Sequence, residues 1–366
     1  MPKDIRRHLT HLFLQLTAID ATSGGERPVV EFIRNFLADR EISIGEDDAN
    51  ADSNGSTGNV ICEIGGGGEI VLLAHMDTAQ PTADLKPRIQ ADRITSDGTT
   101  ILGADDRAGI AVLLHTLEQA AINSEAYSDF TVVFTVCEET DLSGSKHLAL
   151  DDRIRMGYAL DSADRPGHFT HATYGAVRFI ADVQGKAAHA GLEPEKGVDS
   201  IQAASRAISG LPTGRFEGDL TVNIGKISGG TAVNVVPART TVKGEVRGRM
   251  HERVEETVKL IEGRFTTAVK ELGASVDFTS IWDFEPYFID PGHEVYKRLT
   301  AALEAVGLEP VPHVSAGGSD ANSLNAKGIP ALNIGIGAQQ PHSNDEFIMI
   351  EDLVKTAETI KELLRV

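Results

Sequence analysis

The sequence has almost no cysteine and no tract rich in lysine or arginine. Only Cys62 and Cys137 occur in 366 residues, and both lie in apolar runs typical of strands. We therefore expect no disulfide framework and a reduced, cytoplasmic setting. Acidic residues outnumber basic ones by 54 to 34, giving a net charge of −20. This charge disfavours nucleic acid and anionic membranes as partners, because both are themselves negative.

Long hydrophobic runs are also missing. No apolar run approaches the roughly 18 residues that a membrane-spanning helix requires. In the first 20 residues, "MPKDIRRHLTHLFLQLTAID", apolar positions are interrupted by polar ones, and no small-residue cleavage site follows. We expect an amphipathic surface helix there. The chain has 366 residues, of which 41% are hydrophobic. This is enough for one large core, and the length favours two domains.

Strands and helices alternate over the first part of the chain. The segments "EIVLLAHMD", "DFTVVFTVCEE" and "MGYALD" are typical of strands, and "DDRAGIAVLLHTLEQAAI" has the period of a helix. Alternation of this kind predicts an α/β fold with a largely parallel, mixed sheet flanked by helices. Functional residues should then collect beyond the carboxyl ends of the strands.

The pattern changes near Thr173. From there to about Pro286 the chain reads as strand, helix, strand, strand, helix, strand, which predicts a ferredoxin-like α+β unit. The first pattern then resumes and ends in the helical segment "EDLVKTAETIKELLRV". We therefore predict a discontinuous larger domain of residues 1–172 and 287–366, with an inserted smaller domain of residues 173–286.

Polar side chains stand at the ends of the apolar strands. His75 and Asp77 share one face of their strand, because side chains alternate, and an imidazole oriented by a carboxylate is a recurring metal-ligand arrangement. Glu138 and Glu139 follow a strand too apolar to be an exposed edge. Their mutual repulsion requires a cation or a proton to balance it if they are buried; a solvated strand end is the alternative.

Further candidates lie at other element ends. Asp161 ends a strand, His342 lies in the loop after a late strand, and Asp105 and Asp106 open a helix. Taken singly, the aspartate pair is explained by helix capping and the others by solvated loops. Together, nitrogen and oxygen ligands at four strand ends of one sheet are the set that suits zinc or a similar divalent metal.

The motifs occur in a recognisable order: "AHMDT", "GADDRAG", "CEET", "YALD", "GKAAHAG", "GGTAVNVVPA", "GGSDAN" and "PHSNDEF". In this order they resemble the co-catalytic metallopeptidases that include peptidase T (tripeptidase), glutamate carboxypeptidases, aminoacylases and succinyl-diaminopimelate desuccinylase. The resemblance covers nearly the whole chain. It implies a zinc-peptidase-like catalytic domain with an inserted ferredoxin-like lid domain. It also implies two divalent metal ions per subunit, Zn²⁺ in the first place, with Co²⁺ or Mn²⁺ as alternatives.

The resemblance implies a role for each matching residue. Glu138 would be the general base that takes a proton from the attacking water, and Asp77 would orient a metal-binding histidine. Because neighbouring strand residues point to opposite faces, we expect the strand before Glu138 to end there. Five side chains would bind the metals. His75 and Asp161 would bind the first ion, Glu139 and His342 would bind the second, and Asp105 would bridge both.

Three lid residues also match. His189 in "GKAAHAG" resembles a histidine that donates a hydrogen bond to the developing oxyanion, whereas Asn234 and Arg247 match positions that hold a substrate carboxylate. Without the resemblance, His189 and Arg247 would be assigned simply to the surface. "GKAAHAG" departs from relatives that carry threonine or serine before the histidine and proline after it, which leaves the lid geometry open.

Two further features have less definite roles. The turn "SAGGSDANSL" either caps a helix through Ser319, Asp320 or Asn322 or forms a wall of the substrate site. His115 and His147 fall on predicted helices away from the strand ends, where a packing or surface role is expected.

The predicted function is a dinuclear-metal hydrolase of small peptides, similar to a peptidase T-like tri- or dipeptide aminopeptidase. The amino-acid sequence of the lid region and the presence of Asp rather than Glu at position 161 favour the peptidase T-like enzymes within the family. The enzyme alternative is an N-acyl amino acid deacylase or carboxypeptidase with the same metal centre. A non-catalytic peptide-binding scaffold would be expected to lose the base or a ligand, but Glu138 and every ligand type are present. A homodimer is left open.

Overall fold

The structure is a computed structural model that describes residues 2–53 and 55–366. It contains two units. The first is formed by the chain up to Ala172 together with Phe288–Val366, and the second is Thr173–Tyr287. The second boundary lies one residue beyond the position expected from the sequence.

The first unit contains most of the helices. In the described chain they are α1 (Pro2–Thr17), α2 (Arg27–Ala38), α3 (Asn50–Ser53), α4 (Ala104–Ile122), α5 (Glu138–Asp141), α6 (Ser143–His147), α9 (Glu294–Ala305), α10 (Asp320–Ala326) and α11 (Ile350–Leu363). The second unit contains α7 (Ser200–Ser209) and α8 (His251–Glu271).

The strands of the first unit form two sheets. They are β1 (Ile44–Glu46), β2 (Val60–Ile64), β3 (Ile70–His75), β4 (Arg88–Ile89), β5 (Arg93–Thr95), β6 (Phe130–Thr135), β7 (Met156–Ser162), β8 (His168–Thr173), β14 (Val311–Ser315), β15 (Ala331–Gly335), β16 (Ala338–Gln339) and β17 (Phe347–Met349). β8 extends by one residue past the unit boundary. The second unit has β9 (Gly175–Gln184), β10 (Gly214–Phe216), β11 (Leu220–Gly229), β12 (Arg239–Gly248) and β13 (Ser275–Phe284).

The larger sheet has eight strands in the order β1-β2-β6-β3-β7-β15-β8-β14. β3 pairs in parallel with both β6 and β7, and β7 pairs in parallel with β15. The antiparallel β1-β2 and β2-β6 pairs make the sheet mixed. This confirms the predicted fold class. The four parallel strands end at the same edge, where the candidate residues were expected to meet.

Burial explains why these segments form the centre of the unit. Every residue of β3 and β6 is buried, as expected for strands covered on both faces. α4 buries residues on nearly all sides, so it lies within the core rather than on the surface. α1 buries Leu9, Leu12, Phe13 and Leu16, whose spacing marks one helix face and confirms the amphipathic helix. Among the described residues, no helix has the length and apolarity needed to cross a membrane.

A small antiparallel sheet in the same unit has the order β16-β17-β5-β4. Residues 340–346 form the loop between β16 and β17, which pair directly. Gln340 and His342 adopt left-handed backbone conformations, with φ of 54° and 62°. This hairpin carries the motif "PHSNDEF" and fixes the position of His342.

The second unit contains an antiparallel sheet in the order β10-β11-β12-β9-β13. Without the edge strand β10, the other four strands have the ferredoxin-like order that the sequence predicts. Its core contains Phe179 from the sheet and Phe265 from α8, both almost fully buried. The short strand β10 was not predicted.

Candidate metal centre

Five predicted ligands converge at the carboxyl edge of the large sheet. His75 Nε2 lies 3.0 Å from Asp105 Oδ1 and 3.5 Å from Asp161 Oδ1. His342 Nε2 lies 3.3 Å from Asp105 Oδ2 and 3.1 Å from Glu139 Oε1. The two oxygens of Asp105 therefore face different histidines, and each histidine has a second carboxylate beside it.

The ring of His75 is oriented by the chain that follows β3. Nδ1 lies 3.0 Å from the backbone carbonyl oxygen of Asp77 and 3.4 Å from its carboxylate Oδ1. When Nδ1–H donates to that carbonyl, the Nε2 lone pair points at Asp105 and Asp161. Burial favours the neutral ring, but Asp105, Asp161 and Asp77 outweigh burial and raise the pKa of His75 well above its usual value. A metal ion can satisfy the same carboxylates in place of that proton.

The carboxylate of Asp77 joins several parts of the centre. It accepts hydrogen bonds from Ser23 Oγ at 2.6 Å and from the backbone N–H groups of Glu138 and Glu139 at 3.1 Å each. Burial acts to raise the pKa of Asp77, but the hydrogen bond and charge of His75 lower it overall. Asp77 is therefore ionised, and it holds the first turn of α5 beside His75.

The two glutamates lie beyond their strand, as expected. β6 ends at Thr135, and α5 begins at Glu138 after a turn in which Cys137 has a φ of 53°. The fully buried Glu26 stabilises that turn by accepting a hydrogen bond from the backbone N–H of Cys137 at 3.0 Å. Glu138 and Glu139 therefore project from a helical turn, where strand alternation does not apply. Both cysteines of the chain are free and buried.

Carboxylates are concentrated at this edge. Burial is the main cause that raises the pKa of Glu138 well above its usual range, and repulsion from Asp161 and Asp320 adds to it. Burial likewise raises the pKa of Asp161 to about 7, against the effect of His75. Glu139 Oε1 is buried, and His342 Nε2 lies 3.1 Å from it without hydrogen-bond geometry.

The side chains at this edge are therefore suited to binding metal ions. The site offers nitrogen and oxygen donors and a surplus of buried negative charge, which divalent cations neutralise. Three of the donors, from His75, Asp105 and Glu139, lie within 4.8 Å of one another, and so do donors from His75, Asp106 and Asp161.

Two buried carboxylates, to which the sequence analysis gave no role at the metal site, hold the backbone of the predicted ligands. Glu346 accepts hydrogen bonds from the backbone N–H groups of Gly103 at 2.7 Å and Asp105 at 3.1 Å. Burial raises the pKa of Glu346 to about 7. Asp106 accepts from the backbone N–H of His75 at 3.1 Å and of Gly109 at 2.9 Å. Glu346 lies in the motif "PHSNDEF", which was the only sequence signal for it.

Two other polar residues position the strand ends. Asn333 on β15 accepts from the backbone N–H of Asp161 at 3.1 Å. Thr135 at the end of β6 donates to Asp320 Oδ2 at 2.5 Å. Ser319 is the N-cap of α10, and its backbone N–H donates to the side chain of Asn322. The turn "SAGGSDANSL" thus caps a helix and also places the buried carboxylate of Asp320 beside β6.

The second unit brings two of its three candidates together. The backbone carbonyl of Asn234 accepts from the N–H of Ala190, the residue after His189. His189 is exposed, and its Nδ1 accepts from the N–H of Gly191 at 3.2 Å. Arg247 lies on β12, and its guanidinium makes two hydrogen bonds to Glu245, at 3.2 and 3.1 Å.

The chain is similar in sequence and in fold to several known proteins. The sequence family "Peptidase dimerisation domain" matches residues 171–272, and "Peptidase family M28" matches residues 59–196. A curated relative, the uncharacterized protein YqjE of Bacillus subtilis, is 33% identical over 98% of both chains. The crystal structure of aminopeptidase PepT from Bacillus cereus has a TM-score of 0.88 and 34% identity over 98% of both chains. A tripeptidase from Staphylococcus aureus has a TM-score of 0.88 and 31% identity, covering 98% of this chain and 97% of its own.

The fold and these similarities define a metallopeptidase hydrolase. The chain belongs to the M20 peptidases, and within them to the peptidase T-like family.

Proposed function

We propose that the protein is a dinuclear-metal aminopeptidase that releases the amino-terminal residue of tripeptides and dipeptides. The observation that carries this proposal is the position of Asp105, whose two oxygens face His75 at 3.0 Å and His342 at 3.3 Å. This is the arrangement expected of a carboxylate shared by two cations.

The ligand assignment follows from the same distances. His75 and Asp161 would hold one ion, Glu139 and His342 would hold the other, and Asp105 would bridge them. When bound, the two ions would supply Lewis acidity to the substrate carbonyl and make a water molecule more acidic. Zn²⁺ suits the nitrogen and oxygen donors, and Co²⁺ or Mn²⁺ can use the same set.

Glu138 would act as the general base. It is adjacent to the ligand Glu139, and Asp77 holds the backbone N–H groups of both residues. A Glu138 carboxylate oxygen would accept the proton of the attacking water and then deliver it to the nitrogen of the leaving amine. Cations bound at the neighbouring carboxylates oppose the burial and repulsion that raise the pKa of Glu138, and so favour its basic form.

The lid candidates would act on the substrate. Because Nδ1 of His189 accepts a hydrogen bond from Gly191, its proton is on Nε2, and this tautomer can donate to a developing oxyanion. Asn234 and Arg247 would recognise the substrate carboxylate. Arg247 is paired with Glu245 in this structure, so it would have to exchange or share that partner when substrate binds.

The alternative activity uses the same metal centre on an N-acylated amino acid or at the carboxyl terminus of a peptide. A tripeptide and its N-acetylated counterpart, assayed side by side, separate the two. Aminopeptidase action predicts that the free-amine tripeptide is cleaved faster and that its first product is the amino-terminal residue. Faster cleavage of the acetylated peptide, or release of the carboxyl-terminal residue first, would reject the proposal.

We also propose that the protein forms a homodimer in the cytoplasm. The match of residues 171–272 to a peptidase dimerisation domain supports the dimer. The two free, buried cysteines are compatible with a reducing compartment.

A further inference from the structure

A second group of metal-binding side chains lies where α1 packs on α4, outside the centre described above. His8 is on α1, and His115 and Glu118 are on α4, three residues apart and therefore on the same helix face. A nitrogen or oxygen atom from each of the three side chains lies within 4.8 Å of the other two. No candidate of the catalytic centre belongs to this group.

The glutamate of the group is held in a fixed orientation. Its Oε1 accepts hydrogen bonds from Arg40 Nε at 2.8 Å and Nη2 at 2.5 Å. Its other oxygen, Oε2, lies 2.8 Å from His8 Nε2. Arg40 thus uses one side of the Glu118 carboxylate and leaves the other turned toward the histidines.

His115 has a buried nitrogen without a partner among the described residues, whereas His8 Nε2 has Glu118 Oε2 beside it at 2.8 Å. Within the described chain, His115 Nδ1 and His8 Nε2 are buried and satisfy no hydrogen-bond geometry. Such groups are rare in proteins because an unpaired buried polar atom is costly. Burial is the main cause that lowers the pKa of His115 to about 4; His8 and Lys361 act in the same direction and Glu118 opposes them. The ring is therefore neutral near pH 7, which is the form that binds a metal.

The group opens into a cavity of about 530 Å³. Besides the three side chains, Tyr127, Glu358 and Lys361 line this cavity. The side chain of His8 is 31% exposed, so an ion can enter from solvent. Two imidazoles and one carboxylate leave a coordination position that water or a small ligand in the cavity can occupy.

We infer that His8, His115 and Glu118 form a separate binding site for one divalent transition-metal ion, with Zn²⁺ as the ion best suited to the donors. The ion would link α1 to α4, the helix whose first turn carries Asp105. The inference rests on this group alone and not on the proposed peptidase activity.

The test is the number of metal ions bound per chain, measured by elemental analysis after dialysis against buffered Zn²⁺. Wild-type protein is compared with His8→Gln and Glu118→Gln, and with His11→Gln as a control on the exposed side of α1. Glu118→Gln retains a carbonyl oxygen that can accept hydrogen bonds from Arg40, so this variant should keep its fold. It provides the test if His8→Gln folds poorly.

We expect each of the two site variants to bind one equivalent fewer than wild type, and His11→Gln to bind the same number. Peptide hydrolysis should be unchanged, and added Zn²⁺ should raise the melting temperature of wild type more than that of Glu118→Gln. Equal metal content and an equal Zn²⁺-dependent shift in wild type and Glu118→Gln would overturn the site. Because the readout is a difference of one equivalent, it is independent of how many ions the catalytic centre holds.

Discussion

Asp77 holds several groups of the candidate metal centre in place. Its carboxylate lies against His75 and accepts the N–H groups of Glu138 and Glu139. It therefore links the orientation of the ring of His75, a proposed ligand, to the position of the proposed base. A neutral amide of the same size cannot accept from all these donors, because one of its two polar atoms is itself a donor.

We predict that Asp77→Asn weakens metal binding by about 10- to 100-fold, the range typical of residues that support metal ligands. Competition with a chelator measures this, and kcat/KM should fall in parallel. Asp92→Asn, in the exposed turn between β4 and β5, serves as the control for loss of one negative charge. Unchanged metal affinity in Asp77→Asn would contradict the orienting role.

His115 makes stability depend on pH in metal-free protein. The groups facing it are His8, Glu118 and Lys361, and burial is the main cause that lowers its pKa to about 4 from the usual 6.5. Between pH 6.5 and pH 4, His115 is protonated in the unfolded chain but stays neutral in the folded protein. Stability is therefore lost as the pH falls from 6.5 to 4, and this contribution is constant below pH 4.

We expect His115→Gln to remove up to about 3 kcal/mol of this pH-dependent loss, since one pKa unit corresponds to about 1.4 kcal/mol. The measurement is the free energy of unfolding in denaturant at pH 7 and pH 4 with chelator present. The difference between the two pH values should be smaller in the variant. Identical pH dependence in both proteins would show that His115 titrates normally.

Helix α4 packs closely against strand β7 of the large sheet. Gly109 lies in its first half, and a Cβ atom there would stand 2.4 Å from Asp106 Oδ1 and 2.5 Å from the backbone oxygen of Leu160. The next residue after Leu160 is the proposed ligand Asp161. The glycine thus allows α4 and β7 to approach closely at the metal centre.

Gly109→Ala should therefore destabilise the protein by about 1–3 kcal/mol, the usual cost of overpacking, although alanine favours helix. Gly263, in the exposed middle of α8, is the matched control because a Cβ there would meet nothing within 4 Å in the described part of the chain. Gly263→Ala should stabilise by about 0.4–1 kcal/mol. Thermal or denaturant unfolding compares the two, and a harmless Gly109→Ala would refute the close approach.

The sequence predicted those features of the site that follow from strand order. Apolar strands ending in polar residues indicated that His75, Asp161 and the two glutamates would meet at one edge, since parallel strands share that edge. The supporting contacts could not be predicted in this way. Glu26 holds the turn at Cys137 across 111 residues, and Glu346 holds Asp105 across 241, and neither has a periodic pattern that would reveal its partner.

His8 and His115 illustrate the same limit. Each lies on a helix whose pattern is well predicted, but the pattern does not indicate which residues of two packed helices will face each other. A packing or surface role was expected for His115. The structure places it in a pair with His8, with ring centroids 5.2 Å apart.

The functional residues of the two units of the molecule were predicted on different grounds. The larger unit contains all the proposed metal ligands and the proposed base. The smaller unit has the predicted ferredoxin-like strand order, but its three candidate residues rest on the family resemblance. Nδ1 of His189 accepts a hydrogen bond from the N–H of Gly191, whereas Arg247 is paired with Glu245.

In the proposed mechanism Glu138 transfers protons, while its neighbour Glu139 and four other side chains hold the metals. Glu138→Gln tests it most directly, with metal content and tripeptide turnover measured on the same sample. Glu63→Gln on β2 controls for the loss of a carboxylate. We expect Glu138→Gln to have the metal content of wild type but a kcat lower by about 10²- to 10⁴-fold. A variant that remains active, or one that loses its metal along with its activity, would contradict it.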